Sequence, residues 1–117
     1  MGRLTTHVLD TANGRPGAGI HIAVRRVVDG RPEEIASAVT NDDGRCDSPL
    51  LEGERFQAGV YELVFQAGAY FERMGMAASQ PRFLDEVVLR FGIASPDEHY
   101  HVPLLISPYS YTTYRGS

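Results

Sequence analysis

Hydrophobic side chains recur at every second position in short runs along the whole chain. A period of two is typical of strands that bury one face, whereas a surface helix repeats about every 3.6 residues. Turn signals separate these runs at Asn13-Gly14, Asp29-Gly30, Asp43-Gly44, Gly68 and Ser95-Pro96-Asp97. Short strands at this spacing predict an all-β sandwich of two antiparallel sheets.

The length of 117 residues fits a single domain, 1–117, with one hydrophobic core. The alternating runs predict strands at Leu4–Leu9, Ile20–Val24, Ile35–Val39, Tyr61–Phe65, Val87–Phe91, about His99–Ile106 and about Tyr109–Arg115. We expect at most one short helix. One candidate lies at Leu50–Phe56, where Gly53 weakens the pattern, and the other lies near Tyr70–Met74.

Charge and composition exclude several classes of protein. The net charge of −4 argues against a nucleic-acid binder, which should carry a basic patch. All eleven basic residues are arginine, so lysine Schiff-base chemistry is excluded. No apolar run approaches the roughly 20 residues of a membrane helix, and the start has no hydrophobic signal region, so we expect a cytoplasmic protein. Cys46 is the only cysteine, and we interpret it as an incidental thiol.

The last segment, from His99 to Ser117, combines strand patterning with histidine, tyrosine and arginine side chains. Most chain ends are frayed and dispensable. A polar, aromatic terminus built into a sheet instead suggests a functional site formed by the chain end itself. Pro103 interrupts this pattern, and because proline cannot donate to a strand ladder we expect an edge, a bulge or a subunit boundary there.

The histidines leave a metal site open as an alternative. His99 and His101 share one strand face, and His7 could supply a third ligand. No motif of the His-Glu-x-x-His type accompanies them, so strand histidines without a metal are the better interpretation.

Three segments, in order, carry a family resemblance. They are Leu4-Thr5-Thr6-His7-Val8-Leu9-Asp10 with Gly14-Arg15-Pro16, then Thr40-Asn41-Asp42-Asp43-Gly44-Arg45, then the block from His99 to the closing Tyr114-Arg115-Gly116-Ser117. Together they resemble the 5-hydroxyisourate hydrolases, the transthyretin-related enzymes of urate catabolism. The resemblance covers nearly the whole chain. It implies a transthyretin-like sandwich and a homotetramer with sites where dimers meet.

The resemblance also implies a reaction and its residues. The substrate, 5-hydroxyisourate, is opened at a cyclic amide to 2-oxo-4-hydroxy-4-carboxy-5-ureidoimidazoline, and no metal or organic cofactor is required. The implied catalytic residues are His7, Arg45, His101, Tyr114 and Ser117. Substrate binding is assigned to His7, Arg45, Tyr114, Arg115 and Gly116, with His99 in support.

A mechanism fits these residue types. A guanidinium disfavours the imidazolium form of a neighbouring histidine, so a neutral His7 or His101 can deprotonate water near pH 7. Arg45 can hold the purine oxygens and stabilise the negative charge that builds on the attacked carbonyl. The sequence leaves open which histidine is the base.

Two other functions remain as alternatives. A transthyretin-type hormone carrier would share the fold, but the resemblance implies that such carriers lack His7, His101 and the closing tetrapeptide. A zinc-dependent cyclic amidase would use His7, His99 and His101. Arg45 argues against the zinc enzyme, since a guanidinium beside a dication is repulsive.

Overall fold

The computed structural model describes residues 2–76 and 79–116, and most of its strands lie where the alternation predicts them. Two additional strands, Arg15–Pro16 and Leu51–Glu52, have only two residues each, too few to give a periodic signal. The strands are β1 Arg3–Asp10, β2 Arg15–Pro16, β3 His21–Val28, β4 Arg31–Val39, β5 Leu51–Glu52, β6 Gly59–Gln66, β7 Glu86–Ile93, β8 Tyr100–Ile106 and β9 Tyr111–Thr113.

The strands form two sheets packed face to face, which confirms the predicted sandwich. One sheet has the order β2-β1-β8-β9, with β5 also pairing with β1, and the other has the order β4-β3-β6-β7. Every described pairing is antiparallel except that of β1 with β8, which is parallel. The parallel pair places the first strand beside β8, almost a hundred residues later in the chain, and it is the pairing on which the candidate site depends.

The core fills the space between the sheets, and the faces follow the pleat. Along β1, Leu4 and Val8 are fully buried while Thr5 and His7 lie on the outer face. The same alternation in β8 buries Tyr100, Val102, Leu104 and Ile106 and leaves His101 on the outer face. The outer face of the β1–β8 pair is therefore where polar chemistry can occur.

Strand β4 is present as predicted, but a β-bulge determines which of its residues face the core. The register with β3 shifts between Val24 and Arg25, and Ile35 is the extra residue on β4. Ile35, Ala36 and Ala38 consequently pack on the core, while Val39 is 47% exposed.

Pro103 lies inside β8, which is flanked by β1 and β9 in the sheet. The proline is therefore not on an edge strand, which was one of the three places expected for it. The antiparallel pairing of β8 with β9 ends at Leu104 and Thr113, and the next bridge joins His101 to Gly116. Pro103 lies in the gap between these two pairs. Proline has no N–H to donate in this gap. Its carbonyl is satisfied instead by the Thr113 hydroxyl, which donates to it at 2.7 Å.

The short helix α1 spans Ala67–Arg73, which confirms the second of the two candidate segments. The first candidate forms only a 3-10 turn at Gly53–Arg55 after β5. Tyr70 anchors the helix by donating its hydroxyl at 2.7 Å to the buried carboxylate of Asp10, which also accepts from Asn13. No helix within 2–76 or 79–116 is long and apolar enough to cross a membrane.

Candidate active site

The candidate site begins with the parallel pairing of β1 and β8. This pairing sets Thr5 opposite His101 and His7 opposite Pro103, all in one sheet. Because residues two apart on a strand share a face, Thr5 and His7 point outward together, and His101 joins them from the neighbouring strand. The pairing thus brings His7 and His101, which are far apart in the sequence, to one outer face of the sheet.

Arg45 reaches the same face through a loop that follows β4. The Asn41 side-chain oxygen accepts from the backbone N–H groups of Asp43 and Arg45, at 2.9 and 3.1 Å, and so folds the loop. Gly44 then docks on β1: its carbonyl accepts from Val8 N–H at 2.8 Å. This docking pairs Arg45 with His7 in an antiparallel bridge.

Gly44 is required for that close approach. Its φ is +76°, and a Cβ at this position would lie 2.3 Å from the carbonyl oxygen of Val8. Only glycine both adopts this conformation readily and leaves room for β1. The Asp-Asp-Gly sequence thus serves to place the adjacent arginine beside a histidine.

The His101 imidazole is held by a hydroxyl and sits among positive charges. Its Nδ1 lies 2.8 Å from the Thr5 Oγ1. Burial, followed by the charges of Arg45 and His7, holds the pKa of His101 below its usual value. His101 is therefore neutral near pH 7 and able to exchange protons with a bound molecule.

The His7 side chain donates a hydrogen bond to a backbone carbonyl. Its Nε2 lies 3.1 Å from the backbone carbonyl oxygen of Asp43. A carbonyl oxygen only accepts, so Nε2 carries the proton, and the lone pair of the neutral ring is on Nδ1. The loop that delivers Arg45 thus also orients His7.

The chain end folds over His101. Gly116 N–H donates to the His101 carbonyl at 2.7 Å, and a Cβ on Gly116 would lie 2.8 Å from the imidazole Cδ2. The tail thus contributes to the burial of His101. The predicted catalytic Ser117 lies outside the described residues.

An open cavity of about 470 Å³ lies beside these groups. Arg45, His99 and His101 all line it, whereas His7 adjoins it through its bridge to Arg45. The lining residues are Arg3, Thr5, Thr6, Arg45, Cys46, Asp47, Ser48, Pro49, His99 and His101. The cavity is rich in cationic and hydrogen-bonding groups although the protein is acidic overall, which suits a polar, oxygen-rich ligand.

Tyr114 and Arg115 lie on a different groove of the same protomer. That groove, about 430 Å³ in volume, runs between β7 and β9. Arg115 donates to the Glu98 carboxylate at 2.9 Å and to the His99 carbonyl at 3.1 Å, and its guanidinium lies 3.9 Å from the centre of the Tyr100 ring. These contacts fasten the tail to the start of β8. Substrate binding by Tyr114 and Arg115 stays a prediction.

The structure adds three residues that the sequence did not single out as functional. Thr5 contacts His101, Asn41 folds the arginine loop, and Cys46 lines the cavity. A signal for Thr5 was present, since it stands two residues before His7 on a strand. Burial, reinforced by the Asp47 carboxylate, raises the pKa of the Cys46 thiol, which makes it a poor nucleophile near neutral pH.

Metal binding finds no support in the described geometry. Among residues 2–76 and 79–116, no three His, Cys, Asp or Glu side chains are grouped so that they could hold a metal ion. His7 and His101 have Asp43 and Thr5 as their partners instead.

Comparison with known proteins finds one family, with relatives that match over nearly the whole chain. Residues 4–116 match the sequence model of the HIUase/Transthyretin family. The chain is 65% identical over 117 residues to a 5-hydroxyisourate hydrolase of Pseudomonas aeruginosa, covering all of this chain and 93% of the relative. It superposes on the Klebsiella pneumoniae 5-hydroxyisourate hydrolase with a TM-score of 0.82, at 34% identity and with both chains fully covered. Sea bream transthyretin in complex with thyroxine gives a TM-score of 0.87 at 32% identity, covering 97% of this chain and 94% of that one.

Proposed function

This chain belongs to the HIUase/Transthyretin family, and from that premise we infer that it is an enzyme that hydrolyses 5-hydroxyisourate in urate catabolism. The reaction opens a cyclic amide of the oxidised purine ring to give 2-oxo-4-hydroxy-4-carboxy-5-ureidoimidazoline. The observation that carries this inference is the convergence of Arg45 with His7 and His101 on one open sheet face.

The chemistry follows from those three side chains. A histidine that is neutral near pH 7 takes a proton from water as the water oxygen bonds to the carbonyl carbon. Arg45 stabilises the resulting oxyanion and holds neighbouring oxygens of the substrate. When the tetrahedral intermediate collapses, the carbon–nitrogen bond breaks and the leaving nitrogen receives a proton from a histidine. Water supplies all the atoms added, so the step needs no oxidant or organic cofactor.

The alternatives fit less well. The relative with thyroxine bound is 32% identical, whereas the Pseudomonas hydrolase is 65% identical over the full chain. The cavity beside His101 is lined mainly by polar and charged side chains, which suits a purine derivative better than an iodinated aromatic hormone. The zinc amidase would need His7 and His101 to exchange their present partners for a metal.

The first test is direct. Urate oxidase generates 5-hydroxyisourate in situ, and its decay is followed with and without this protein. We expect clear acceleration that persists in the presence of a strong chelator. Because the pKa of His101 is lowered, its neutral form persists below the pH of about 6.5 at which free histidine titrates, so protonation of His101 should not lower the rate until the pH is more acidic than that. No acceleration would contradict the function, and loss on chelation with recovery on added zinc would favour the metal alternative.

We further propose that the protein is a homotetramer with its sites where dimers meet. The site lies on an open sheet face, and an open face excludes water poorly without a second surface. The end strands β7 and β9 line a common groove that exposes Val88, Tyr111 and Tyr114. Pairing along such edges would cover them. A cytoplasmic location and a single domain over 1–117 stay part of this proposal.

Light scattering checks the assembly. We expect a mass about four times the 12.9 kDa of the chain. Replacing Val88, which is exposed on the β7 edge, with aspartate should shift the population to smaller species. A monomer that keeps full activity would contradict the shared-site arrangement.

A further inference from the structure

We propose that Thr5 is a positioning residue: its hydroxyl donates to Nδ1 of His101 and keeps the proton of the neutral imidazole on Nε2. The two atoms lie 2.8 Å apart across the parallel pair β1–β8, in which Thr5 and His101 are direct register partners. The hydroxyl is therefore aimed by two paired backbones rather than by a flexible loop, and its position is well fixed.

The direction of this hydrogen bond follows from the partners available. A threonine hydroxyl offers one proton, and within residues 2–76 and 79–116 its only hydrogen-bond partner is His101 Nδ1. If the hydroxyl accepted from Nδ1–H instead, its own proton would have no protein acceptor there. Donation to Nδ1 satisfies both groups, and it requires that the lone pair of the ring is on Nδ1 and the proton on Nε2.

The opposite assignment holds for His7. Its Nε2–H donates to the Asp43 carbonyl, so its lone pair is on Nδ1. Neutral His7 then has a basic nitrogen to offer, and neutral His101 has an N–H donor on the nitrogen that Thr5 does not occupy. Resting on the proposed function, this assigns His7 as the base that deprotonates water and His101 as the donor to the attacked oxygen or the leaving nitrogen.

The decisive measurement does not depend on activity. Two-bond ¹⁵N–¹H correlation spectra distinguish the two neutral histidine tautomers, and the His101 signals are identified by their loss in His101→Asn. We expect His101 of the wild type above its pKa to be in the Nε2–H form. Thr5→Val should give a mixture, and Thr5→Ser should restore the Nε2–H form. An Nδ1–H tautomer in the wild type, or an unchanged tautomer in Thr5→Val, would overturn the proposal.

A matched variant separates orientation from stability. Thr11 comes directly after β1, and its hydroxyl donates at 3.0 Å to the Ile106 carbonyl of β8, away from the histidines. Thr11→Val removes a threonine hydrogen bond to the same strand β8, so it should lower the midpoint of thermal unfolding about as much as Thr5→Val does. The His101 tautomer should stay unchanged in it.

Kinetics supply the second readout. Losing one oriented hydrogen bond should lower kcat of Thr5→Val about ten-fold, with KM little changed, because the hydroxyl, although Thr5 lines the cavity, gives its one proton to the His101 ring. Thr5→Ser should recover most of the rate, and Thr11→Val should stay near wild type. A tautomer change without a change in kcat would refute the role of Thr5 in catalysis while leaving the hydrolase function intact. A wild type without activity would refute the function and leave the tautomer assignment standing.

Discussion

His7→Ala, Arg45→Ala and His101→Ala should each lower turnover of 5-hydroxyisourate by about 10²–10⁴-fold, the usual cost of losing a positioned acid–base or charge-stabilising group. The three side chains meet on one sheet face and share electrostatic effects, since Arg45 and His7 both depress the pKa of His101. Their losses should therefore be non-additive, and the double variant His7→Ala/His101→Ala should be little worse than the poorer single variant.

The controls come from the same residue types placed elsewhere. His21 is exposed at the start of β3, in the other sheet, and Arg31 is exposed in β4. His21→Ala and Arg31→Ala should stay within about two-fold of wild type, as surface changes usually do. If the three site variants fold and also turn over at near wild-type rates, the residue assignment is wrong, even if the protein hydrolyses the substrate.

The alternation of hydrophobic residues carried most of the fold prediction. It placed the long strands because each buries one face, and Asp29-Gly30 marked the β3–β4 turn, in which both residues have positive φ. It could not reveal the parallel pairing of β1 with β8, since pairing partners 96 residues apart leave no local trace. The bulge at Ile35 was hidden for a related reason, because it depends on the register with β3.

The candidate site was predictable only as a set of residue types. The motifs pointed to His7, Arg45 and His101, and the structure brings these three together. What the sequence lacked was the connection between them: the docking of Gly44 on Val8, the hydroxyl of Thr5 on His101 and the carbonyl of Asp43 on His7. Each of these depends on a backbone position that only the folded chain defines.

The sequence predicted that the chain end forms part of the site, but the residues of the tail lie in two different places. Gly116 packs on His101, whereas Arg115 is engaged with Glu98 and the Tyr100 ring beside the other groove. Tyr114 is 57% exposed in the protomer. The roles of Tyr114, Arg115 and Ser117 in the site stay predictions, and we group them with the proposed tetramer.

Deleting residues 114–117 should lower turnover by at least about 10²-fold while the sandwich still folds. The deletion removes the Gly116 hydrogen bond to the His101 carbonyl and the clasp of Arg115 on Glu98. It also exposes His101, whose lowered pKa has burial as its largest cause, so that pKa should rise and the neutral form should be lost at higher pH. The His101 ring signals of the truncated protein should accordingly titrate at higher pH than those of the wild type.

A single substitution tests the same contact more gently. In Gly116→Ala the new methyl group would lie 2.8 Å from His101 Cδ2 and 3.3 Å from Pro103 Cγ, so either the ring or the tail must shift. We expect a loss of about ten-fold or more in kcat from misplacement of the ring. Gly92→Ala is the matched control, because Gly92 has open space around it and no positive φ. Gly30→Ala would not serve, because the φ of +78° at Gly30 would strain an alanine whatever the space around it.

Tags at the two chain ends complete the comparison. A C-terminal extension should displace the tail from His101, which Gly116 contacts directly. The same tag before Met1 precedes β1 and should leave turnover within about two-fold. Circular dichroism verifies that every variant is folded. Equal turnover in the N-tagged, C-tagged and truncated proteins would show that the tail is an ordinary terminus and that His101 needs no cover from the chain end.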